Sequence, residues 1–432
     1  MNQRRKSDPE KGEKALRNRI QKAVEDAYRQ GVAEGVLPDV SLPALHQVVP
    51  SKQESHGDFA SNLALITASE AKRSPQELAG FLAKILEANP LFHKVDVAGP
   101  GFINFFVANT WWQENLRTIW NAGDSYGESE AGNGRLVQVE FVSANPTGPL
   151  HVGHGRGAAV GDSLARVLKT AGFSVEREYY INDIGNQMRT LGASVYLRYL
   201  EHFGQEVEFP EEYYQGDYIR DIASSIALGD GERYLDMPQE SCLPFFIDTA
   251  VKIIASDIRK DLEDFSVHYD NWFNEKTLHE SGLVDRTISE LQDKGYMFEE
   301  EGALWFRATA LGDEKDRVVK RSNGVLTYFA SDIAYHRHKL ERGYDLLVDI
   351  WGADHHGYVA RVKAVIKALG YQEDKLQVLL VQLVNLVEGG KIKAMSTRAG
   401  EFVTLREVLD DVGSDAARFI FLTRRCDSHL DF

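Results

Sequence analysis

The residues with the clearest chemical potential form the run Pro149-Leu150-His151-Val152-Gly153-His154-Gly155. Two imidazoles three residues apart share one face of a helix. A helix start presents unpaired N–H groups and the positive end of its dipole, so it favours phosphate. Both histidines could therefore donate hydrogen bonds to a phosphate that gains charge in a transition state. Gly153 would leave room for a flat base to approach the backbone.

A second segment lies far downstream and is rich in cations. It reads GGKIKAMSTRAG over residues 389–400. Three cations flanked by glycines suit a mobile loop that closes on phosphates and lends them positive charge. Alone, the same composition is equally typical of an exposed basic hairpin. The segment becomes specific only together with the histidine pair.

The elements around the histidine pair form a β-α-β unit. Residues 136–142 predict a strand, residues 152–171 a helix and residues 175–180 a second strand. Such a unit implies parallel strands joined by a right-handed crossover. The histidine pair therefore begins the crossover helix of an α/β domain.

Other patterns predict further elements. A second β/α pattern resumes at residues 303–307 and 346–351, and the apolar run 376–386 predicts one more strand of the same sheet. Near the N-terminus, Ser74-Pro75-Gln76-Glu77 predicts a helix start, with an N-cap, a first-turn proline and an acidic first turn.

The same stretch also fits a rival motif. Gly153, Gly155 and Ala158 match the dinucleotide-binding pattern G-x-G-x-x-[G/A]. Glu176 or Glu178 then stands where the ribose-binding acid of a dehydrogenase would be. The glycines of that motif lie in the tight turn directly after the strand, whereas here a longer turn intervenes. This spacing disfavours a dehydrogenase.

The histidine run and the cationic segment resemble the H-I-G-H and K-M-S-K-S signatures of class I aminoacyl-tRNA synthetases. Four further runs narrow the resemblance to the arginyl-tRNA synthetase family: VEFVSANPTGPLHVGH at 139–154, EYYIND at 178–183, WGADHHGY at 351–358 and DSHLDF at 427–432. The runs HGDFASN at 56–62 and GPGFIN at 99–104 resemble that family's N-terminal domain, which contacts the outer corner of tRNA.

The patterns and the resemblance together predict an α/β fold, with a Rossmann-like parallel-sheet catalytic domain split by an insertion and an N-terminal α+β domain. The expected parts are a tRNA-contacting N-terminal domain at 1–125, the first half of the catalytic domain at 135–190, the insertion at 191–301, the second half at 302–388, and the signature loop with the start of a helical C-terminal region at 389–432. Most of the family's C-terminal anticodon-binding domain is not expected within these residues.

The resemblance also implies residue roles. A pocket for arginine needs carboxylates and planar acceptors for the guanidinium fork. The matching arginine positions are Glu140, Ser143, Asn145, His154, Tyr328, Asp332 and His355. The matching ATP positions are Gly148, His151, Gly153, His154, Gly352, Asp354, His355, Met395 and Ser396. The implied catalytic residues are His151, His154, Lys393 and Arg398.

The cationic segment departs from the family signature. Ala394 replaces the lysine directly before Met-Ser, and Thr397 replaces the second lysine. A compensating lysine just before the histidine signature is also missing, because that position is Gly148. We therefore expect Lys391, Lys393 and Arg398 to stabilise the phosphates. Mg²⁺ would enter with ATP rather than at a protein site.

Composition sets the remaining expectations. The formal net charge of −16 argues against a general nucleic-acid binder, so tRNA would be met by local basic patches. Two cysteines cannot form a disulfide framework, which favours the cytoplasm. The polar N-terminus and the lack of a long apolar run predict no membrane association.

The expected partners are ATP, L-arginine and tRNA-Arg, and we expect a monomer. Two alternatives remain open: a different class I synthetase or another nucleotidyltransferase of that superfamily, and a truncated or inactive fragment that only binds tRNA or nucleotide. The histidine pairs at 336/338 and 355/356 could suggest metal ligands, but they lack acidic or cysteine partners at ligand spacing, so we expect no metal site.

Overall fold

The computed structural model of the 432-residue chain describes residues 13–42, 46–388, 391–393 and 402–432. It divides into two compact units, Met1–Ser129 and Glu130–Phe432. Each unit has a hydrophobic core of its own. Among the described residues, no helix has the length and apolar character needed to cross a membrane.

The first unit combines a small antiparallel sheet with helices. Its elements are α1 (Glu13–Ala33), β1 (Val48–Pro50), β2 (Phe59–Ser61), α2 (Leu63–Ala71), α3 (Pro75–Leu86), β3 (Phe92–Ala98), β4 (Phe102–Val107) and α4 (Asn109–Ala122). The strands lie in the order β1-β2-β4-β3, and all neighbours are antiparallel. Leu16, Leu82 and Phe105 are fully buried in its core. This is the expected α+β arrangement.

Helix α3 begins where its sequence predicts. The Ser74 hydroxyl accepts a hydrogen bond from the Glu77 backbone N–H, and the Glu77 carboxylate accepts one from the Ser74 N–H. Pro75 occupies the first helical position, where no N–H partner is needed. This capping box satisfies two helix-start donors and confirms the prediction.

In its described residues, the second unit contains three sheets. Its elements are β5 (Leu136–Phe141), α5 (Val152–Thr170), β6 (Ser174–Ile181), α6 (Asn186–His202), α7 (Asp217–Asp230), α8 (Gln239–Asp264), β7 (Asn271–Asn274), α9 (Lys276–Glu280), α10 (Leu283–Asp293), β8 (Met297–Glu300), β9 (Ala303–Phe306), β10 (Arg317–Lys320), α11 (Tyr328–Glu341), β11 (Leu346–Gly352), α12 (Val359–Ala368), β12 (Leu376–Val381), β13 (Val384–Glu388), β14 (Lys391–Lys393), α13 (Leu405–Val412), α14 (Ser414–Leu422) and β15 (Leu430–Asp431).

The central sheet has the order β12-β11-β5-β6-β7, and its neighbouring strands are all parallel. The first strand in sequence, β5, lies in the middle, with β6 on one side and β11 on the other. In doubly wound sheets of this kind, ligands bind beyond the carboxyl ends of the strands where the order reverses. The Rossmann-like prediction is confirmed, and the expected ligand position lies at the ends of β5 and β11.

Three details of the predicted organisation are wrong. The block 191–301 is not wholly an insertion, because β7 belongs to the central sheet. Residues 303–307 do not resume that sheet, because β9 pairs with β8 and β10 in a separate antiparallel sheet. The apolar run 376–386 is not one strand but two, since β13 leaves the central sheet and pairs with β14 and β15.

Candidate active site

A cavity of about 530 Å³ opens at the carboxyl ends of β5 and β11. It collects side chains from both strands, from the start of α5 and from α11. Of the sequence-predicted site residues, it is lined by Glu140, Ser143, His151, Gly153, His154, Tyr328, Asp332, Gly352, Asp354 and His355. These residues are spread over more than two hundred positions of the chain, and the fold brings them together.

The two histidines lie face to face at the start of α5. Their rings are stacked, with centroids 3.6 Å apart. His151 caps the helix, and its Nδ1 accepts a hydrogen bond from the Gly153 N–H. Nδ1 of His154 accepts one from the His151 N–H. Because both Nδ1 atoms accept, each neutral ring carries its proton on Nε2, which remains a donor for a ligand.

Burial keeps both rings neutral. Burial, with a smaller contribution from the neighbouring His151, lowers the pKa of His154 to about 3. Burial likewise lowers the pKa of His151. Two neutral Nε2–H donors at a helix start are suited to bind a phosphate and to follow its growing charge.

Gly153 serves a purpose that the sequence does not reveal. A Cβ atom at this position would lie 2.9 Å from Cε1 of His151. The glycine therefore makes room for the His151 ring of the same chain. The expectation that its missing side chain also admits a base stays a prediction.

Strand β5 ends in an unusual turn beside the cavity. Val142 and Ser143 have φ angles of 69° and 42°, in the left-handed region that branched residues avoid. The Ser143 hydroxyl donates to the Glu140 carboxylate at 2.9 Å and accepts from the Tyr180 N–H at 3.1 Å. Strained backbone of this kind costs about 1–3 kcal/mol per residue and concentrates at functional sites. Glu140 thus helps to hold the turn.

The Glu140 carboxylate is already paired. Its Oε2 accepts hydrogen bonds from Nζ of Lys339 and from the Tyr335 hydroxyl. Lys339 is fully buried and also donates to Asp349 at 2.7 Å. Burial opposes the lysine charge, but Asp349 and Glu140 outweigh it and raise the pKa of Lys339. The charge of Glu140 is therefore compensated inside the protein.

Two other cavity carboxylates are not compensated in this way. Asp332 accepts a hydrogen bond from the Tyr358 hydroxyl, and burial raises its pKa. Burial raises the pKa of Glu275 to about 7, and nearby Asp332 adds to the shift. Within the described chain, no lysine or arginine pairs with either carboxylate. Their neighbour His279 lies 3.9 Å from Glu275, and burial lowers its pKa. The pair is suited to a cationic ligand.

The opposite side of the cavity is formed after β11. Gly352 is closely approached by its own neighbour, since a Cβ there would lie 2.4 Å from Oδ1 of Asp354. The same Oδ1 lies 3.1 Å from Nδ1 of His355. Both side chains are exposed, which leaves them accessible to a ligand.

Some predicted site residues lie elsewhere. Asn145 and Gly148 are not part of the cavity lining. The Asn145 amide donates to Gln187 at 2.7 Å, so its predicted contact with arginine stays a prediction. Met395, Ser396 and Arg398 lie outside the described residues. For Lys393, the structure describes only the backbone of β14.

Sequence reasoning missed several polar residues that line the cavity: Tyr180, Asn182, Glu275, Tyr335, His336, Asp349, Tyr358 and Gln382. It also missed Lys339 beneath them. Helical spacing could have found Lys339, which stands four and seven residues after Tyr335 and Asp332 on the same helix. Glu275 carries no such signal, because it follows a strand of only four residues.

Comparison with known proteins agrees with this geometry. A family described as tRNA synthetases class I (R), catalytic domain, matches residues 116–425. The description Arginyl tRNA synthetase N terminal domain matches residues 14–107. The chain belongs to the arginyl-tRNA synthetase family. This membership decides against the dinucleotide-binding alternative.

Members of the arginyl-tRNA synthetase family resemble the chain over most of its length. The arginine–tRNA ligase of Geobacter sp. (strain M21) is 53% identical over 96% of this chain and 74% of its own length. That of Oleidesulfovibrio alaskensis is 54% identical over 94% of this chain and 74% of its own length. The Thermus thermophilus arginyl-tRNA synthetase structure, at 22% identity, shares the fold over 96% of this chain and 77% of its own, with a TM-score of 0.64.

Proposed function

We propose that the chain is an arginine–tRNA ligase that activates L-arginine with ATP and transfers it to tRNA-Arg. The observation that carries this proposal is the juxtaposition of two cavity features. The carboxylates Asp332 and Glu275 have no lysine or arginine partner among the described residues, and the neutral His151–His154 pair opens into the same cavity. One feature suits a cationic side chain, and the other suits a phosphate.

In this proposal, Asp332 and Glu275 bind the guanidinium group. That group presents a planar fork of N–H donors, which carboxylates accept with charge-assisted hydrogen bonds. Asp332 is oriented by Tyr358, and Tyr328 stands four residues before it on the same face of α11. Glu140 and Ser143 shape the cavity wall from β5, and His355 lies across from them.

Adenylate formation then follows from the placement of ATP at the start of α5. The carboxylate of arginine attacks the α-phosphorus, and pyrophosphate leaves with its electron pair. His151 and His154 donate from Nε2 to the α-phosphate as its charge grows. Gly153 lets the His151 ring take this position, while Gly352, Asp354 and His355 accommodate the nucleoside. No covalent enzyme intermediate is required.

Transfer completes the reaction. A hydroxyl of the terminal ribose of tRNA attacks the carbonyl carbon of arginyl-adenylate, and AMP leaves. We propose that Mg²⁺ accompanies ATP, that Lys391, Lys393 and Arg398 stabilise the charge of the leaving pyrophosphate, and that Met395 and Ser396 contact ATP. We further propose a cytoplasmic monomer.

Arginine-dependent ATP–pyrophosphate exchange, with and without tRNA-Arg, tests the proposal. Exchange that requires arginine, and that Asp332→Asn abolishes at low arginine concentration, is the expected result. Absence of exchange in both conditions would leave the binding-only alternative. Exchange that depends on another amino acid would instead indicate a different class I synthetase.

A further inference from the structure

Arg156 is a buried arginine that the proposed chemistry does not use. It lies on α5, two residues after His154, and its side chain has no exposure to solvent. Its guanidinium donates to three backbone carbonyls: Nη1 to Gln382 and Ser428, both at 2.8 Å, and Nη2 to Arg425 at 2.9 Å. One side chain thereby connects α5 to two distant segments of the chain, at residue 382 and at residues 425–428.

This arrangement is unusual for a buried charge. Among the described residues, no carboxylate forms an ion pair with Arg156. Burial lowers the pKa of Arg156, as expected for a cation with only neutral partners. A buried charge of this kind is costly compared with apolar packing, so its main effect is to fix geometry. The planar guanidinium fork donates to all three carbonyls at once. A lysine ammonium does not present its donors in one plane.

The three carbonyls belong to segments that flank the small sheet β14-β13-β15. Gln382 lies between β12 and β13, two residues before β13 begins, while Arg425 and Ser428 precede β15. Strand β13 pairs with β14, which ends at Lys393, and with β15. Arg156 therefore connects the helix of the histidine pair to the sheet that carries Lys391–Lys393.

A second set of contacts joins the same helix start to the chain beyond the signature segment. The Val152 N–H donates to the Val403 carbonyl at 3.1 Å, and the Leu405 N–H donates to the Leu150 carbonyl at 2.7 Å. The chain after residue 401 is thus attached directly to the start of α5, whereas β14 is connected to α5 through β13 and the Arg156–Gln382 hydrogen bond. Only the attachment through β14 depends on Arg156.

We propose that Arg156 is a positioning residue for adenylate formation. It sets the position of the β14 backbone relative to the His151–His154 pair without touching substrate. This inference rests on the proposed function, because it assumes that the two segments act on the same phosphates. The arginine-binding carboxylates lie on other elements, so arginine binding does not depend on Arg156.

Steady-state ATP–pyrophosphate exchange by Arg156→Lys tests the proposal. Arg418→Lys is the matched control, because Arg418 is also a largely buried arginine attached to α5, through Asp162, but not to the β14 sheet. We expect Arg156→Lys to lower kcat at least about tenfold while KM for arginine stays within about twofold. Arg418→Lys should keep both parameters within about twofold of wild type.

A folded Arg156→Lys protein with unchanged kcat would overturn the proposal, as would an equal loss in Arg418→Lys. If Arg156→Lys does not fold, Asn385→Ala provides the second variant. The Asn385 amide donates to Asp431 at 2.9 Å across β13 and β15, near the surface. A fall in kcat with unchanged KM for arginine is expected, and an unchanged kcat contradicts the proposal. Absence of exchange in wild type would instead refute the proposed function itself.

Discussion

Glu140 and Asp349 are register partners on the neighbouring parallel strands β5 and β11, and both accept hydrogen bonds from the ammonium group of Lys339. Two adjacent buried carboxylates would repel each other without this cation. Lys339 therefore stabilises the floor of the cavity, and its positive charge compensates the negative charge of Glu140. In the proposed function, the cationic substrate therefore binds Asp332 and Glu275 instead.

The first prediction concerns Lys339. Lys339→Met leaves two buried carboxylates without their cation, and breaking such a buried pair costs about 3–5 kcal/mol. The free energy of unfolding in urea measures this loss. Lys294→Ala is the comparison, since Lys294 forms an exposed pair with Glu290 that is worth at most about 1 kcal/mol. Equal losses in the two variants would contradict the role assigned to Lys339.

The second prediction concerns the pH dependence of arginine binding. Since burial raises the pKa of Glu275 to about 7, this carboxyl loses its negative charge as pH falls through 7. KM for arginine should therefore rise between pH 8 and pH 6. Glu275→Gln should flatten that profile at a high KM, whereas Glu280→Gln, an exposed neighbour on α9, should leave it unchanged. If KM for arginine still rises with falling pH in Glu275→Gln, the titration belongs to another group.

The third prediction is the effect of the same group on stability. A carboxyl whose pKa is raised on folding stabilises the protein below its unfolded pKa, and this contribution is lost as pH rises through the folded pKa. For Glu275 that window runs from 4.5 to about 7. Without arginine, the free energy of unfolding of wild type should fall more steeply across this window than that of Glu275→Gln. If the free energies of unfolding of the two proteins change in parallel across this window, the raised pKa of Glu275 is refuted.

The fourth prediction concerns the histidine pair. His154→Ala removes a donor to the α-phosphate and should lower kcat of exchange by about 10²–10³ with little change in KM for arginine. Because the pKa of His154 is about 3, the pH dependence of kcat should show no transition due to His154 between pH 6 and pH 9. His202→Ala, on the exposed end of α6, is the control. A large rise in KM for arginine would place His154 in the arginine site instead.

The fifth prediction concerns the altered signature segment. If Lys393 replaces the cation missing at Ala394, Lys393→Ala should slow adenylate formation at least about tenfold, since a charge-assisted contact is worth about 1.5–3 kcal/mol. Single-turnover formation of adenylate measures this rate directly. An unchanged rate would assign the compensation to another residue.

Sequence patterns predicted the elements whose signal is local. The β5-α5-β6 unit follows from its hydrophobic periodicity and turn, and the start of α3 follows from Ser74 and Glu77. The patterns failed where an element depends on contacts with residues that are distant in the sequence. Strand β7 has only four residues and exists because β6 pairs with it. The run 376–386 breaks at Gln382, whose carbonyl is bound by Arg156 from another part of the chain.

The candidate site shows the same division. The histidine pair could be located from its spacing, but the capping bonds that fix its Nδ1 atoms required the fold. Resemblance pointed to Glu140 as an arginine ligand, whereas its pairing with Lys339 depends on a helix two hundred positions away. Glu275 acquires its raised pKa only from burial beside Asp332.

The central claim is that the cavity selects a guanidinium group through Asp332 and Glu275. Citrulline tests it most directly, because it has nearly the shape of arginine but a neutral end group. ATP–pyrophosphate exchange should favour arginine over citrulline by about 10⁴ or more in kcat/KM, since a site built for specific donors rejects an analogue lacking them. Asp332→Asn should reduce this ratio sharply. Comparable exchange with both amino acids in wild type would contradict the account.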